Sequence, residues 1–245
     1  MRGRSTEKAR MIEPCGKMFF YEGLVAEKPW DDFANRYETA RRLRLVFGQL
    51  LDASELAGSR FLDAGSGGGH FSEYAAGLGA KVWSLDVGDK LLAEVAGRCK
   101  SHRVIGSVLD IPFEDGFFDI VLCTEVIEHT PVPLQAVKEL SRVVRSGGIL
   151  VITTPCKLWQ AAVRLASFLR LRPFQGLENF VWPGQLVETL VSQGLRIEWS
   201  GGFNFWPLFN RRLEPAFRMC DSLYGRRLPW AMVNIAVRAR RNEKR

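Results

Sequence analysis

The rhythm of apolar and polar positions changes twice along the chain, near residues 55 and 155. Before the first change, Phe33, Tyr37, Ala40, Leu43, Phe47 and Leu51 recur every three or four positions. That spacing predicts an amphipathic helix over 31–51, with Asp31 or Asp32 placed to cap its start. Residues 1–30 show no period and read as an arm. Between the two changes, short apolar runs alternate with helix-length stretches. The runs lie at 60–65, 81–86, 102–107, 117–123 and 148–154, and the helical stretches at 69–78, 89–99 and 133–145. Runs that are apolar at nearly every position suit strands buried on both faces. Each followed by a helix, they predict a parallel sheet covered on both sides.

Past 155 the pattern loosens. Residues 157–172 and 184–194 read as helices, and 195–200 and 232–240 as late strands. Two segments rich in Phe, Trp and Arg, 157–182 and 203–230, read as insertions capping the sheet rather than as a separate domain. The expected organisation is an arm and helix over 1–55, then one α/β domain over 56–245.

Composition narrows the class. A chain of 245 residues, 47% hydrophobic and 25% charged, can bury a full core without staples. No apolar run reaches the roughly 18 residues of a membrane span. The first residues, MRGRSTEKARMIEP, carry charge with no apolar stretch behind it, so a secretory leader is not expected. Cys15, Cys99, Cys123, Cys156 and Cys220 are scattered and form no CxxC pair. This argues against a disulfide framework or zinc ribbon and for a reducing, cytoplasmic setting. A net charge of +7 favours anionic partners (nucleic acid, anionic lipid or a phosphorylated substrate) without choosing among them.

The chemistry starts at FLDAGSGGGHFS, a strand, a tight turn and a helix start. Alternating Gly65, Gly67 and Gly69 allow positive φ and close approach of a ligand to the backbone, and the helix start offers unpaired N–H groups. A dinucleotide loop asks for G-x-G-x-x-G/A. Counted from Gly65, the last position is His70, which argues against NAD or FAD. No Gly-Lys-Ser/Thr follows, so it is not a P-loop. Asp86 ends the next strand, 23 residues after Asp63, where a carboxylate can take both ribose hydroxyls. Asp110 follows the third strand, placed to accept from an exocyclic amine, with Ile111 and Pro112 able to flank an adenine ring. A glycine loop, a ribose acid and an adenine acid, in order and each at a strand end, form a specific set.

The stretches LDAGSGGGHF, LDVG, DIPFEDGFFDIV, EVIEH and ELSRVVRSGGILVITTP together resemble the class I S-adenosylmethionine-dependent methyltransferases of type 11. The resemblance is firm over 60–155 and looser over 182–197 and 232–240. Within that family EVIEH and the late segment are most similar to the O-methyltransferases of ubiquinone biosynthesis, while the wording of 111–121 is shared with C-methyltransferases. The resemblance implies a Rossmann-like, seven-stranded, mostly parallel sheet with an antiparallel last strand, helices on both faces and helical cap insertions. It implies S-adenosylmethionine as cofactor. Asp63, Gly65, Ser66 and Gly67 would meet its amino-acid end, and Asp86 and Val87 its ribose. Asp110 and Ile111 would meet its adenine, with Thr124 and Glu125 lining it from below. Ser66 stands where a cysteine is common, a small change.

Methyl transfer from a sulfonium is an in-line displacement, helped mostly by alignment and exclusion of water. A phenol or acid acceptor also needs a base. Of His70, His102 and His129, only His129 follows the fourth strand on the ligand side, and it is the candidate base. His70 reads as solvent-facing and His102 as surface. Glu125, Glu128 and His129 form E-x-x-E-H, a plausible hard-cation set. Metal dependence through Mg²⁺ is the less favoured reading, since Glu125 is assigned to the cofactor pocket and no further histidine stands about ten residues on.

The segment 157–172 is apolar except for Lys157, Gln160, Arg164, Ser167, Arg170 and Arg172, and no acid occurs from Leu140 to Leu177. Trp206, Phe209, Arg211, Arg212, Arg226, Arg227 and Trp230 continue the theme. A helical lid over the site is the favoured reading and an interfacial helix on anionic lipid the second, and the two are compatible. Both point to a small, hydrophobic acceptor such as a prenylated phenol, methylated on oxygen, with peripheral membrane contact. Rivals are an RNA methyltransferase and a non-catalytic member that only binds the cofactor. No RNA-binding module is recognisable, no NPPY-like motif follows the fourth strand, and the glycine loop is intact, so each is the weaker reading.

Overall fold

The structure is a computed structural model that describes residues 36–168, 176–205 and 214–243. The expected arm 1–30, the helix start at 31–35, residues 169–172 of the expected cap helix and Trp206, Phe209, Arg211 and Arg212 lie outside the described residues.

The elements follow the predicted order. Helix α1 (Arg36–Leu45) ends in a π-turn (Val46–Leu50), and a short α2 (Ala53–Leu56) leads into β1 (Arg60–Ala64). Then come α3 (His70–Gly77), β2 (Lys81–Asp86), α4 (Asp89–Arg98), β3 (His102–Ile105) and β4 (Phe118–Thr124). A 3₁₀ turn (Ile127–His129) precedes α5 (Pro133–Val143) and β5 (Val144–Pro155). A second such turn (Lys157–Trp159) opens α6 (Gln160–Phe168), followed by α7 (Pro183–Ser192) and β6 (Leu195–Phe203). Helix α8 (Glu214–Tyr224), a turn (Pro229–Ala231) and β7 (Asn234–Arg241) complete the described chain.

The seven-stranded sheet has the order β3-β2-β1-β4-β5-β7-β6. β7 pairs antiparallel with both β5 and β6, and the other pairings are parallel. Strand alternation splits the core. Val121 and Cys123 of β4, with Leu150 and Ile152 of β5, face one layer, packed with Ala136, Val137 and Leu140 of α5 and Leu186 and Leu190 of α7. Ile120, Leu122 and Val151 face the other, packed with Val46 and Leu50 of the π-turn and Phe71 and Ala75 of α3. Phe47 stacks on Tyr74 of α3 with ring centroids 4.5 Å apart, so the N-terminal helix shares the core of the sheet. Full burial of each Val, Leu, Ile or Phe among these contributes about 1.5–3 kcal/mol.

Local differences from expectation have local causes. β3 stops at Ile105 because Ser107 starts a turn: its hydroxyl accepts the Leu109 N–H at 3.1 Å and its carbonyl accepts the Asp110 N–H at 3.1 Å. β5 begins at Val144, directly after α5, and its register with β4 shifts between Phe118 and Ile120. Residues 157–159 form a tight turn before α6 rather than its first turn. Among the described residues no helix is long and apolar enough to cross a membrane.

Candidate functional site

Strand order reverses between β1 and β4, and in a doubly wound sheet the carboxyl ends at such a point open a crevice. The loop after β1 and the turn after β4 meet there. Gly65, Gly67 and Gly69 all have positive φ (80°, 49° and 86°). A Cβ at Gly65 would lie 2.3 Å from a Val126 methyl, so the approach of the two loops requires glycine. The N–H groups of Gly65 and Ser66 both donate to the Leu85 carbonyl, at 2.8 and 3.0 Å, and stitch the loop to β2.

The three candidate acids sit differently, and two of them support this loop. Asp63 is fully buried behind it and accepts the Ser72 hydroxyl of α3 at 2.7 Å, and Ser72 lies 2.7 Å from Ser84 of β2. Burial pushes its carboxyl up to about 7, against the Ser72 hydrogen bond and with added push from the Asp86 charge. Asp86 bridges two turns, accepting the Gly67 N–H at 2.9 Å and the Gly88 N–H at 3.1 Å, and neighbouring Val87 is half-buried. Burial raises its carboxyl too, opposed by those N–H groups. Asp110 is exposed. The next residue, Ile111, packs into the core, its N–H donating to Glu139 at 2.9 Å and its carbonyl accepting from Arg142 at 2.9 Å. Arg142 also reaches the Phe113 carbonyl and Asp115, both at 2.8 Å, so α5 pins the loop that carries Asp110.

The turn after β4 separates its acids. Thr124 is buried at the strand end, paired with Thr153. Glu125 has left-handed backbone (φ 55°), and its carboxylate accepts the Thr153 hydroxyl at 2.8 Å and the Asn234 amide at 2.6 Å. Burial first, then the charge of Glu128, pushes it up to about 8. Glu128, also buried, accepts the Thr154 hydroxyl at 2.9 Å, and burial pushes it up to about 7. His129 keeps 22% of its side chain exposed. Its Nδ1 lies 2.7 Å from the Leu177 carbonyl. A carbonyl only accepts, so Nδ1 holds the proton in the neutral ring and Nε2 is the basic nitrogen, 3.9 Å from Glu128. Among the described residues no three His, Cys, Asp or Glu side chains gather as a metal-holding group. Glu125 turns toward β5 and β7, and Glu128 toward Thr154. His70, expected in solvent, is half-buried at the start of α3, while His102 is exposed and stacks on Trp83.

Asn204, Asn234, Thr153, Thr154, Glu139 and Arg142 were not singled out from sequence as individual site residues. The adjacent threonines at the end of the fifth apolar run were the one available signal, since hydroxyls at a buried strand end require partners.

A model of a Methyltransferase domain matches residues 62–152. The ubiquinone biosynthesis O-methyltransferase of Xanthomonas oryzae pv. oryzae is 34% identical over 169 residues, covering 64% of this chain and 71% of that protein. The chain belongs to the class I S-adenosylmethionine-dependent methyltransferases. The crystal structure of an S-adenosylmethionine-dependent methyltransferase from Mesorhizobium loti superposes with a TM-score of 0.62 at 18% identity, over 86% of this chain and 99% of that one. The [4+2]-cyclase SpnF superposes at 0.58 with 21% identity, over 83% and 81%. These likenesses show the fold, and the cyclase shows that the fold alone does not dictate the reaction.

The loop of this methyltransferase fits its cofactor on a feature of its own. The Ser66 hydroxyl is buried with no hydrogen-bond partner among the described residues. A lone buried hydroxyl at the tip of a glycine loop suits a polar ligand group that completes it.

Proposed function

We propose that this methyltransferase methylates an oxygen of a small, hydrophobic acceptor, with His129 as the base. The observation that carries this reading is the proton lock on Nδ1, which makes Nε2 the basic nitrogen of the ring, in the turn whose Val126 packs against the glycine loop. The Xanthomonas relative, an O-methyltransferase by name, supports this reading.

When bound, S-adenosylmethionine supplies an electrophilic methyl group. Gly65, Ser66 and Gly67 would hold its amino-acid end, with Asp63 bracing the loop from behind through Ser72. Asp86 uses one lone pair on each oxygen for Gly67 and Gly88. An ionised carboxylate has about four acceptor sites, and with the Val87 N–H also directed at it, capacity remains for a ribose hydroxyl. Asp110 and Ile111, held by Glu139 and Arg142, would border the adenine, Val87 the ribose, and Thr124 and Glu125 the floor. Once His129 takes the acceptor's proton, Glu128 faces an imidazolium 3.9 Å away, which favours the ionised carboxylate and steadies the ring.

The cap fits an apolar acceptor drawn from a lipid surface. Leu158, Leu165 and Phe168 are exposed on α6 and its leading turn, and Leu228 and Trp230 on the last turn. The two turns are tied together: Cys156 donates to the Trp230 carbonyl and Trp159 to the Ala231 carbonyl, both at 3.2 Å. Arg164 on α6 and Arg226 and Arg227 just before the last turn are also exposed and add positive charge to these segments. The test is transfer of labelled methyl to phenols with and without apolar tails, with co-sedimentation on anionic vesicles at low salt. Transfer to amines or RNA alone would overturn the oxygen assignment, and failure to sediment would remove the membrane contact.

A further inference from the structure

Among the described residues, two other than glycine hold left-handed backbone: Glu125 (φ 55°) and Asn204 (φ 61°). One side chain joins them. Asn234 Nδ2 donates to Glu125 Oε2 at 2.6 Å, and Asn234 Oδ1 accepts from Asn204 Nδ2 at 2.8 Å. The other hydrogen of Asn204 Nδ2 goes to Glu38 of α1, also at 2.8 Å. The backbone of the same segment is gripped from α8. Asp221 accepts the Phe205 N–H at 2.9 Å and the Asn204 N–H at 3.4 Å, and it pairs with Arg41 of α1.

Both amide orientations are dictated by the partners. Turning Asn204 over would set its oxygen against two acceptor oxygens, and turning Asn234 over would set an oxygen against the Glu125 carboxylate. Asn204 Oδ1 is left buried with no hydrogen-bond partner among the described residues, so the chain of bonds prevails over satisfying that atom. Left-handed backbone on a residue with a Cβ persists only where the surroundings over-determine it. Here both instances belong to one relay of side-chain hydrogen bonds.

We propose that Asn234 is a positioning residue for the methyl-transfer site, and that the chain Glu38–Asn204–Asn234–Glu125 couples docking of α1 to the shape of the cofactor crevice. This rests on the assignment of Glu125 to the floor of the cofactor pocket. Val126, the next residue, packs over Gly65, so the orientation of Glu125 sets how the post-β4 turn closes on the glycine loop. Asn234 suits the position because it donates to a carboxylate on one side and accepts from an amide on the other. Aspartate has the same shape without the donor.

The experiment uses the full chain, with calorimetry of S-adenosylmethionine binding and hydrogen exchange of the α1 amides with and without the cofactor. In the wild type, cofactor binding slows exchange in α1. Asn234→Asp leaves Glu125 facing a second carboxyl group in place of a donor amide, weakens binding by at least about tenfold, the loss expected when a buried polar group loses its hydrogen-bond partner, and abolishes the protection of α1. Asn204→Gly keeps the left-handed backbone and removes only the side chain. It still binds the cofactor yet no longer protects α1. A thermal melt confirms folding, and if Asn234→Asp does not fold, Asn204→Gly carries the test. Wild-type affinity in Asn234→Asp, or α1 protection retained in Asn204→Gly, overturns the coupling. A wild type that binds no S-adenosylmethionine overturns the cofactor reading and the coupling with it, an outcome separate from the other two.

Discussion

Arg142 holds the loop after Asp110 at three residues and pairs with Glu139 of its own helix, and Arg142→Ala removes all of these contacts at once. It donates to the carbonyls of Ile111 (2.9 Å) and Phe113 (2.8 Å), to Asp115 (2.8 Å) and to both oxygens of Glu139 (2.6 and 2.9 Å). Asp115 is 77% exposed, so that pair contributes little. The bonds to the two carbonyls and to Glu139 are better shielded, and Glu139 is left with only the Ile111 N–H. Counting two carbonyl bonds and one ion pair, and discounting for the 30% exposure of the Arg142 side chain, the loss is about 3 kcal/mol. In a domain of this size that lowers Tm by roughly 6–12 °C. The assay is calorimetric unfolding of wild type, Arg142→Ala, Glu139→Ala and the double variant. The double variant should lose less than the sum of the singles, because they share one interaction. The cofactor KM should rise more than kcat falls, since the loop borders the adenine. A loss under about 1 kcal/mol, or strict additivity, would refute the clamp.

His129→Gln retains cofactor affinity while kcat for a phenol falls by about 10²–10⁴, measured as labelled-methyl transfer, and wild-type kcat would remove His129 from the chemistry. Gly65→Ala forces a Cβ to 2.3 Å from Val126 at a φ of 80°, so calorimetry should find cofactor binding lost and a melt should show destabilisation. Asp63 carries a pH signature: its folded value of about 7 exceeds the ordinary 3.8, so the folded state holds the proton more tightly and the contribution of this group to stability falls as pH rises between those values. Asp63→Asn should therefore gain on the wild type by up to about 4 kcal/mol from pH 4 to 7 in urea unfolding without cofactor, and a pH-independent difference would contradict the burial argument.

What the chain discloses in order is local. The glycine loop, Asp86 at its strand end and the acid-rich stretch after β4 are read from neighbours in sequence, because positive φ, strand burial and helix starts leave signatures within a few residues. The direction in which side chains turn does not. Glu125 is assigned to the cofactor floor on position alone, yet its oxygens meet Thr153 and Asn234, 28 and 109 residues further on. Nothing near Asn234 marks it, since an asparagine opening a late strand looks like any turn asparagine. The sheet was legible for a similar reason. β1, β4 and β5 are mostly buried runs, while β3 is largely exposed and the register shift between β4 and β5 depends on their pairing and has no local pattern.

The central claim is methyl transfer to oxygen in this crevice. The most direct measurement incubates the wild-type chain with carbon-13-methyl S-adenosylmethionine and an alkyl-tailed phenol, then reads the product by NMR. A methoxy carbon signal that disappears in His129→Gln is the expected result. A labelled carbon on nitrogen or ring carbon, or a methoxy signal of equal rate in His129→Gln, would contradict it.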